Sequence, residues 1–385
     1  MKNTFNKLKS IIITLKGLLA IGISDVVGGG IQTFFLFYVA ILINPEQYGE
    51  LFYFLSIGNL ASAISLLGSK NTLLVYLPKK VSIHSTLYLI CIIGVTITTI
   101  ILFFIFYDVG LSVYVLGSVF FGLAGTEILG RKLYFLYSKF LLTQKILMVT
   151  LAIGLFYLMG IDGIILGIGL SLFLYIILII KAFKESKINF SLVRERFGFM
   201  MNNYIITIIN TGGNSIDKLI LGPLLGFTLL GNYQLGLQFI AAFQIFPVII
   251  FKYILPHDAS GNPNKKLKRL SIIASIVFTI ALITLSPFVV PFLFPKFINV
   301  IEVIQIASVS LIPYTISIIY SSKFVGKEES RTALLGVLIY AITLVFLILF
   351  LGSIIGISGA AIGYTLASSL QAAYYVCADK FSNKK

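Results

Sequence analysis

The most constraining feature of this sequence is a series of apolar runs, each close to the ~20 residues that a helix needs to cross a bilayer. Twelve runs can be marked: 17–43, 50–69, 84–106, 110–130, 141–160, 162–182, 198–222, 229–254, 270–293, 300–322, 332–352 and 355–377. Hydrophobic residues make up 58% of the chain and charged residues only 11%, a balance that excludes a water-soluble domain. The predicted fold is an all-α polytopic membrane protein with about 12 transmembrane helices.

The basic residues are distributed as in a membrane protein, not as in a nucleic-acid-binding protein. With the N-terminus in the cytoplasm, the cytoplasmic segments hold all of the 29 Lys and Arg residues except Lys218 and Lys296. Short cytoplasmic loops of membrane proteins are enriched in Lys and Arg. The pattern predicts cytoplasmic N- and C-termini, explains the net charge of +15 and gives no reason to expect nucleic acid as a partner.

The sequence predicts no cofactor, no metal site and no enzymatic activity. Cys91 and Cys377 are single cysteines in apolar runs, and His84 and His257 are isolated loop residues without a cluster of other ligands. The turns on the outer side are short, and no paired carboxylates or Ser, His and Asp set converge in the sequence. We therefore expect binding and movement of a substrate, without chemical conversion.

Short repeats divide the chain into two halves. "GIDGIILG" (160–167) and "GISGAAIG" (356–363) open the sixth and twelfth spans, and Gly49 and Gly231 each fall between the first and second spans of a half. These matches predict two six-helix lobes, 1–190 and 191–385, related by a pseudo-two-fold axis along the membrane normal, with a cavity between them. Chance recurrence of glycine-rich turns is the alternative.

Glycines interrupt the first span of each half at matching positions, when the halves are aligned on Gly49 and Gly231. They are Gly28, Gly29 and Gly30 in "SDVVGGGIQ", and Gly212 and Gly213 in "NTGGNSIDK". Glycine permits bending, and paired interruptions in corresponding spans point to the binding site or hinge of a transporter. We predict that these glycines are hinges. Close helix packing through small residues is the alternative interpretation.

Polar side chains recur along one face of the seventh span, at steps of three or four residues. They are Asn203, Thr207, Asn210, Asn214 and Asp217. Other spans carry polar residues too, and such faces cannot point at lipid tails. The predicted substrate cavity is lined by Lys218, Asn210, Asn214, Asp217, Gln32, Asn59, Gln238 and Tyr314. An interlocked helix bundle would give a similar pattern.

Two charged residues deep in the predicted spans are candidates for function. Lys218 could meet an anionic head group, or a carboxylate from another helix could neutralise it, since the adjacent Asp217 is expected to point about 100° away. Asp25 is the predicted ion-coupling residue, for a proton or sodium, with pairing to a basic residue as the alternative. Glu127 and Arg131 are four residues apart and are expected to form a structural ion pair.

The chain resembles the polysaccharide flippases of the multidrug/oligosaccharidyl-lipid/polysaccharide exporter superfamily. The resemblance covers nearly the whole chain. It rests on the glycines of the first span, "NPEQYG" before the second, "DKLILGPLLGFTLLGNYQLG" across the seventh and eighth, and the two "GxxGxxxG" openings. It implies movement of a polyprenyl-pyrophosphate-linked oligosaccharide repeat unit from the cytoplasmic to the outer leaflet by alternating access, for surface polysaccharides such as O-antigen.

The resemblance also implies a location and partners. The location is the bacterial cytoplasmic (inner) membrane. The partners are the lipid-linked glycan, membrane lipids, H⁺ or Na⁺ as a coupling ion, and other membrane proteins of polysaccharide assembly. A cation-coupled multidrug antiporter of the same superfamily is the main alternative. A membrane glycan polymerase is less favoured, because such an enzyme should have a large outer loop, and the longest outer segment here is 291–300. A passive channel is a further alternative.

Overall fold

The computed structural model describes residues 2–259, 264–326 and 329–382. Within these ranges, the side chains of 2–16, 18, 252–253, 255–259, 326, 330 and 382 are outside the description, and His257 is among them. The three C-terminal residues, 383–385, lie outside it as well, so the predicted cytoplasmic C-terminus stays a prediction.

The described residues form α-helices and one 3₁₀ segment, with no strand, as expected. The helices are α1 (Lys2–Leu42), α2 (Pro45–Leu66), α3 (Ser69–Tyr76), α4 (His84–Phe106), α5 (Val109–Gly130), α6 (Tyr134–Met159), α7 (Ile161–Ser171), α8 (Ile176–Phe183), α9 (Phe190–Glu195), α10 (Phe197–Leu225), α11 (Phe227–Ala259), α12 (Lys265–Leu293), α13 (Val300–Ala307), α14 (Leu311–Gly326) and α15 (Ser330–Ser382). The 3₁₀ segment, Ser308–Ser310, joins α13 to α14 just before Pro313.

Ten helical segments in the described part of the chain are long and apolar enough to cross a membrane. One of them, Arg331–Phe381, spans 51 residues and bends at Gly356, whose φ of 62° and ψ of −135° are not helical, so it accounts for two predicted spans. The remaining predicted span corresponds to α10, which is 29 residues long and more polar than these ten segments. The all-α polytopic fold class is confirmed.

Two compact units are formed by packing contacts. One contains residues 1–32 and 57–211, and the other contains 33–56 and 212–385. Compared with the predicted lobes, 1–190 and 191–385, the units exchange segments 33–56 and 191–211. Two of the exchange points lie at Gln32/Thr33, just after the first glycine run, and at Thr211/Gly212, directly before the second. In the first unit α7 packs on α5 and α6, and in the second α14 packs on α11 and α15.

The octamer repeat has the same backbone geometry at both of its sites. Gly160 has φ 72° and ψ −145°, close to the values of Gly356. Three residues later, a Cβ on Gly163 would overlap the Leu155 carbonyl, and a Cβ on Gly359 would overlap the Leu351 carbonyl. Both pairs are separated by eight residues along the chain. At both sites, the repeated glycines therefore let the chain reverse direction and let the next helix pack against the backbone of the preceding helix.

Gly49 and Gly231 lie inside helices, not between spans, and this part of the prediction was wrong. The segment "NPEQYG" already begins α2, with Pro45 in its first turn and Asn44 as the N-cap. The Asn44 Oδ1 atom accepts a hydrogen bond from the Gln47 N–H at 2.9 Å, and Gln47 Oε1 accepts one from the Asn44 N–H at 3.1 Å. This reciprocal capping box starts the helix at Pro45, five residues before the predicted start of the span at residue 50.

The two glycines meet where α2 crosses α11. A Cβ on Gly49 would overlap the Phe227 carbonyl oxygen, and a Cβ on Gly231 would overlap the Pro45 carbonyl oxygen. Each carbonyl belongs to the residue four positions before the other glycine, so the contact is reciprocal. Reciprocity of this kind is typical of two equivalent surfaces related by a two-fold axis. It supports aligning the first two spans of one half with the first two spans of the other half at an offset of 182 residues.

The segment after α8 is fixed to the first unit by side chains of α4 and α5. Ser85 Oγ donates a hydrogen bond to the Phe183 carbonyl at 2.9 Å, and the Asn189 N–H donates one to Thr86 Oγ1 at 2.8 Å. Arg131 contacts Glu185 at 2.5 Å and Glu127 at 2.5 Å, which confirms the predicted Glu127–Arg131 ion pair and adds a second carboxylate. The Tyr88 hydroxyl donates to the same Glu127.

Acidification is expected to loosen this attachment. The hydrogen bond from Arg131 lowers the pKa of the Glu185 carboxyl. Its contribution is therefore complete above the unfolded pKa of about 4.3 and is lost as the pH falls through the lower folded value. We expect amide-exchange protection of residues 183–189 to fall at acidic pH in the wild type but to be low and pH-independent in Arg131→Gln. Equal protection in both proteins would contradict this role.

Candidate functional site

The deep charges of the second unit neutralise each other. Lys218 Nζ lies 2.9 Å and 3.1 Å from the two carboxylate oxygens of Asp217, and it also donates to the Asn214 carbonyl at 2.8 Å. The expectation that the adjacent Asp217 would point away was wrong, because the four-carbon stem of the lysine lets its ammonium reach back along the helix. The exposed fraction of the Asp217 side chain is only 4%.

Three tyrosine side chains lie near this ion pair. Tyr233, Tyr340 and Tyr364 all lie within electrostatic range of the Asp217 carboxylate, and they come from α11 and α15. Gln244 Nε2 donates a hydrogen bond to the Tyr364 hydroxyl at 3.2 Å, and the rings of Tyr340 and Tyr364 meet edge to face. The result is a buried polar cluster inside the second unit, which sequence periodicity along α10 alone could not assemble.

The other predicted cavity residues of the second unit, and Asn210 just before it, differ in exposure. Gln238 is buried on α11, and Tyr314 is half-buried on α14 and within range of Tyr364. Asn210 and Asn214 are exposed on α10. Exposed asparagines on a membrane-crossing helix are costly against lipid, so their face is best explained by contact with water.

In the first unit, a polar face of α1 lies against α6. Tyr137 lies within electrostatic range of Asp25, which is half-buried. One turn further along both helices, Gly28 packs beside Leu141 and the stem of Lys145, where a Cβ would lie 3.4–3.5 Å from their atoms. The next turn brings Lys145 Nζ within 2.6 Å of the Gln32 side-chain oxygen. The two helices therefore run parallel and meet along one polar stripe.

Lys145 is the residue that sequence reasoning missed. The charge pattern predicts a cytoplasmic position for it, as for every Lys and Arg except Lys218 and Lys296, but α6 begins at Tyr134 and carries Lys145 about 16 Å along its axis. No described carboxylate lies within 4.0 Å of its ammonium group; the Gln32 amide is its hydrogen-bond partner. Lys145 lies inside the predicted span 141–160, and that position was the available signal.

Asn59, the remaining predicted cavity residue, lies on α2 with its side chain exposed. Its Oδ1 atom accepts a hydrogen bond from the Tyr114 hydroxyl at 2.8 Å. Tyr114 also packs against Gly58, where a Cβ would lie 2.5 Å from the ring. The structure thus places Asn59 on the surface of the first unit with an aromatic neighbour.

The predicted hinge glycines do not break their helices. Both α1 and α10 continue through them. Of the five, Gly28 packs closely, and Gly213 has only the Ala341 methyl at 3.9 Å. Gly29, Gly30 and Gly212 would accept a Cβ with no atom within 4 Å. Close packing through small residues therefore does not account for these three positions.

Alanine at these open positions tests the hinge. Gly29→Ala, Gly30→Ala and Gly212→Ala are each expected to stabilise the straight helix by ~1 kcal/mol. If bending limits transport, each should slow it about five-fold without lowering the melting temperature. Gly154→Ala is the matched control, because Gly154 in α6 also has nothing within 4 Å. Unchanged transport in the variants would leave the glycines without a mechanical role.

The architecture is similar to that of solved membrane transporters. The lipid II flippase MurJ in an inward closed conformation matches with a TM-score of 0.66 and 14% identity, over 96% of this chain and 87% of that one. An inward-facing multidrug resistance MATE family transporter of the MOP superfamily matches with a TM-score of 0.68 and 13% identity, over 94% of both chains. An outward-facing MATE structure matches at 0.66 and 15%, over 95% of both. No protein-family model and no curated protein sequence matches the chain. The chain has the fold of MOP-superfamily transporters.

Proposed function

We propose that this protein flips a polyprenyl-pyrophosphate-linked oligosaccharide repeat unit across a bacterial cytoplasmic membrane by alternating access, for surface polysaccharide synthesis such as that of O-antigen. The observation that supports this most directly is Lys145, a cation deep in a membrane span whose hydrogen-bond partner is the neutral amide of Gln32. A charge at this depth costs about 2.5–3.5 kcal/mol on insertion scales. A diphosphate passing this point would offset that cost with charge-assisted hydrogen bonds.

The remaining predicted residues take supporting roles in this proposal. Gln32 orients the Lys145 ammonium, while Asn210, Asn214 and Asn59 offer amide groups to sugar hydroxyls. Lys218 becomes a partner of Asp217 and not the first phosphate contact, because its charge is already neutralised. The proposed ion-coupling residue is Asp25, which lies on the same face of α1 as Gln32. Binding of H⁺ or Na⁺ at Asp25 would then affect the same face of α1 that contacts Lys145, the proposed phosphate-binding residue.

A multidrug antiporter is the second candidate function, and one observation favours it. A buried carboxylate, Asp217, surrounded by tyrosine side chains is an arrangement that suits an organic cation. The similarity to MATE family structures points the same way. However, the ammonium of Lys218 occupies the position next to that carboxylate, so a cationic drug would have to displace it.

Transport by purified protein in vesicles separates the two candidates. We would reconstitute the full chain and follow two probes: a fluorescent polyprenyl-pyrophosphate oligosaccharide, read by quenching in the outer leaflet, and ethidium, read by its movement across the same membrane. The proposal predicts protein-dependent translocation of the lipid-linked glycan and no ion-driven ethidium movement. Ethidium transport without glycan translocation would replace the flippase proposal with the antiporter.

A further inference from the structure

Residues 181–199, from the end of α8 to the start of α10, carry an excess of exposed positive charge after the ion pairs of this segment are counted. Glu185 is paired with Arg131, and Glu195 is paired with Arg196 at 2.9 Å. The exposed cations of the segment are Lys181, Lys184, Lys187 and Arg194. None of these four has a described carboxylate within 4.0 Å. Both acidic side chains of the segment are therefore already used, and four positive charges face outward.

Large apolar side chains are exposed in the same segment. They are Ile188, Phe190, Phe197 and Phe199, and Phe190 has 58% of its surface exposed. The segment connects the apolar helical segment that ends at Phe183 to α10, which begins at Phe197 and corresponds to the seventh predicted span, so both of its ends adjoin helices assigned to the membrane. At the surface of a bilayer, acyl chains lie next to charged headgroups. Exposed phenylalanines can contact the acyl chains, and the neighbouring exposed lysines can contact the headgroups.

The opposite side of the segment is fixed to the first unit. Val193 and Met200 are buried, and Arg196 lies over the Tyr76 ring at 5.1 Å. Hydrogen bonds from α4 hold the segment at Phe183 and Asn189, as described above. Because one side is anchored, the exposed cations and phenylalanines have a defined outward direction. The segment therefore forms a fixed surface of the first unit and is not a flexible linker surrounded by water.

We propose that residues 181–199 bind anionic phospholipid headgroups of the leaflet in which they lie. Charge complementarity selects this partner, since the four exposed cations would each approach a lipid phosphate while the apolar side chains enter the interfacial layer. A second protein is less well matched, because a protein partner would have to cover four unpaired cations and still reach side chains at the membrane boundary. The inference does not depend on which substrate the protein transports.

The absence of tryptophan from the sequence provides a direct test. In Phe190→Trp, the new indole is the sole tryptophan and reports the environment of the segment. The full-length variant is reconstituted into vesicles that contain brominated phosphatidylglycerol or brominated phosphatidylcholine, both of which quench nearby tryptophan. We expect stronger quenching by the anionic lipid at low ionic strength, and a loss of that preference as salt is added.

Charge removal and a second reporter complete the experiment. In the Phe190→Trp background, each change of Lys181, Lys184, Lys187 or Arg194 to Gln should lower the relative affinity for the anionic lipid about five-fold. Ile97→Trp, at an exposed apolar position of α4, should be quenched equally by both lipids, and this shows that the protein is folded and inserted. Equal quenching of Phe190→Trp by both lipids would overturn the proposal. No quenching by either lipid would also overturn it and would point to water or a protein at this surface.

Discussion

Gly231→Ala is expected to destabilise the protein more than alanine at any glycine that has open space around it. The added Cβ would overlap the Pro45 carbonyl oxygen and lie 3.0 Å from the Gly49 nitrogen. These are backbone atoms of a capped helix, so they cannot rotate away as a side chain would. Overpacking of this kind costs about 1–3 kcal/mol, and Gly49→Ala should behave alike because the contact is reciprocal. Thermal unfolding of the purified protein in detergent measures the effect.

Gly154→Ala is the control for this prediction. It adds the same methyl group within a helix, at a position with no atom within 4 Å. Helix propensity alone should raise its stability by up to ~1 kcal/mol. If Gly231→Ala and Gly154→Ala have the same melting temperature, the crossing of α2 and α11 is not held by direct backbone contact.

Lys145→Gln is expected to reduce glycan translocation about 10- to 100-fold, while the protein still inserts and folds. A hydrogen bond to a charged group contributes about 1.5–3 kcal/mol, and glutamine keeps a donor but removes the charge. Lys145→Arg should retain most of the activity, because its guanidinium can also bind phosphate. The initial rate of translocation in vesicles, divided by the amount of inserted protein, is the quantity to compare.

Lys139→Gln is the matched control, because Lys139 is exposed on the same helix less than two turns before Lys145. It should translocate the substrate at the wild-type rate. Full activity of Lys145→Gln, with loss of activity in Lys218→Gln, would contradict the assignment and return the phosphate contact to the second unit.

Periodicity and length were sufficient to predict the spans, because a bilayer imposes both on a helix. The ends of α2 and α6 were placed wrongly for physical reasons that hydropathy does not detect. A capping box at Asn44 starts α2 inside a polar segment, and α6 begins at Tyr134, so that Lys139 lies within the helix before the predicted run 141–160. Lysine is a good helix former, so its charge does not end a helix.

The candidate site was predictable as separate polar stripes and not as contacts. The stripe on α10 was visible from spacing, but its tyrosine neighbours come from α11 and α15, which are distant in sequence. The Asp217–Lys218 pair could not be predicted either. The rotation per residue around the helix axis gives the direction in which a side chain leaves the backbone, but not where the end of a long, flexible lysine side chain lies. Lys145 and Gln32 are 113 residues apart, and only the packing of α1 on α6 joins them.

We propose that the polar face of α1 and the polar face of α10 are each open to water first on one side of the membrane and then on the other. Cysteine accessibility tests it directly, in a Cys377→Ser background where the remaining Cys91 is buried. Asn214→Cys and Gln32→Cys are each treated with a membrane-impermeant thiol reagent added to one side of sealed vesicles at a time. Both positions are expected to react from either side, whereas Ile342→Cys, at an exposed apolar position of α15, is expected to react from neither. If Asn214→Cys and Gln32→Cys are as unreactive as Ile342→Cys, these faces contact lipid or packed protein, and the transport account is wrong.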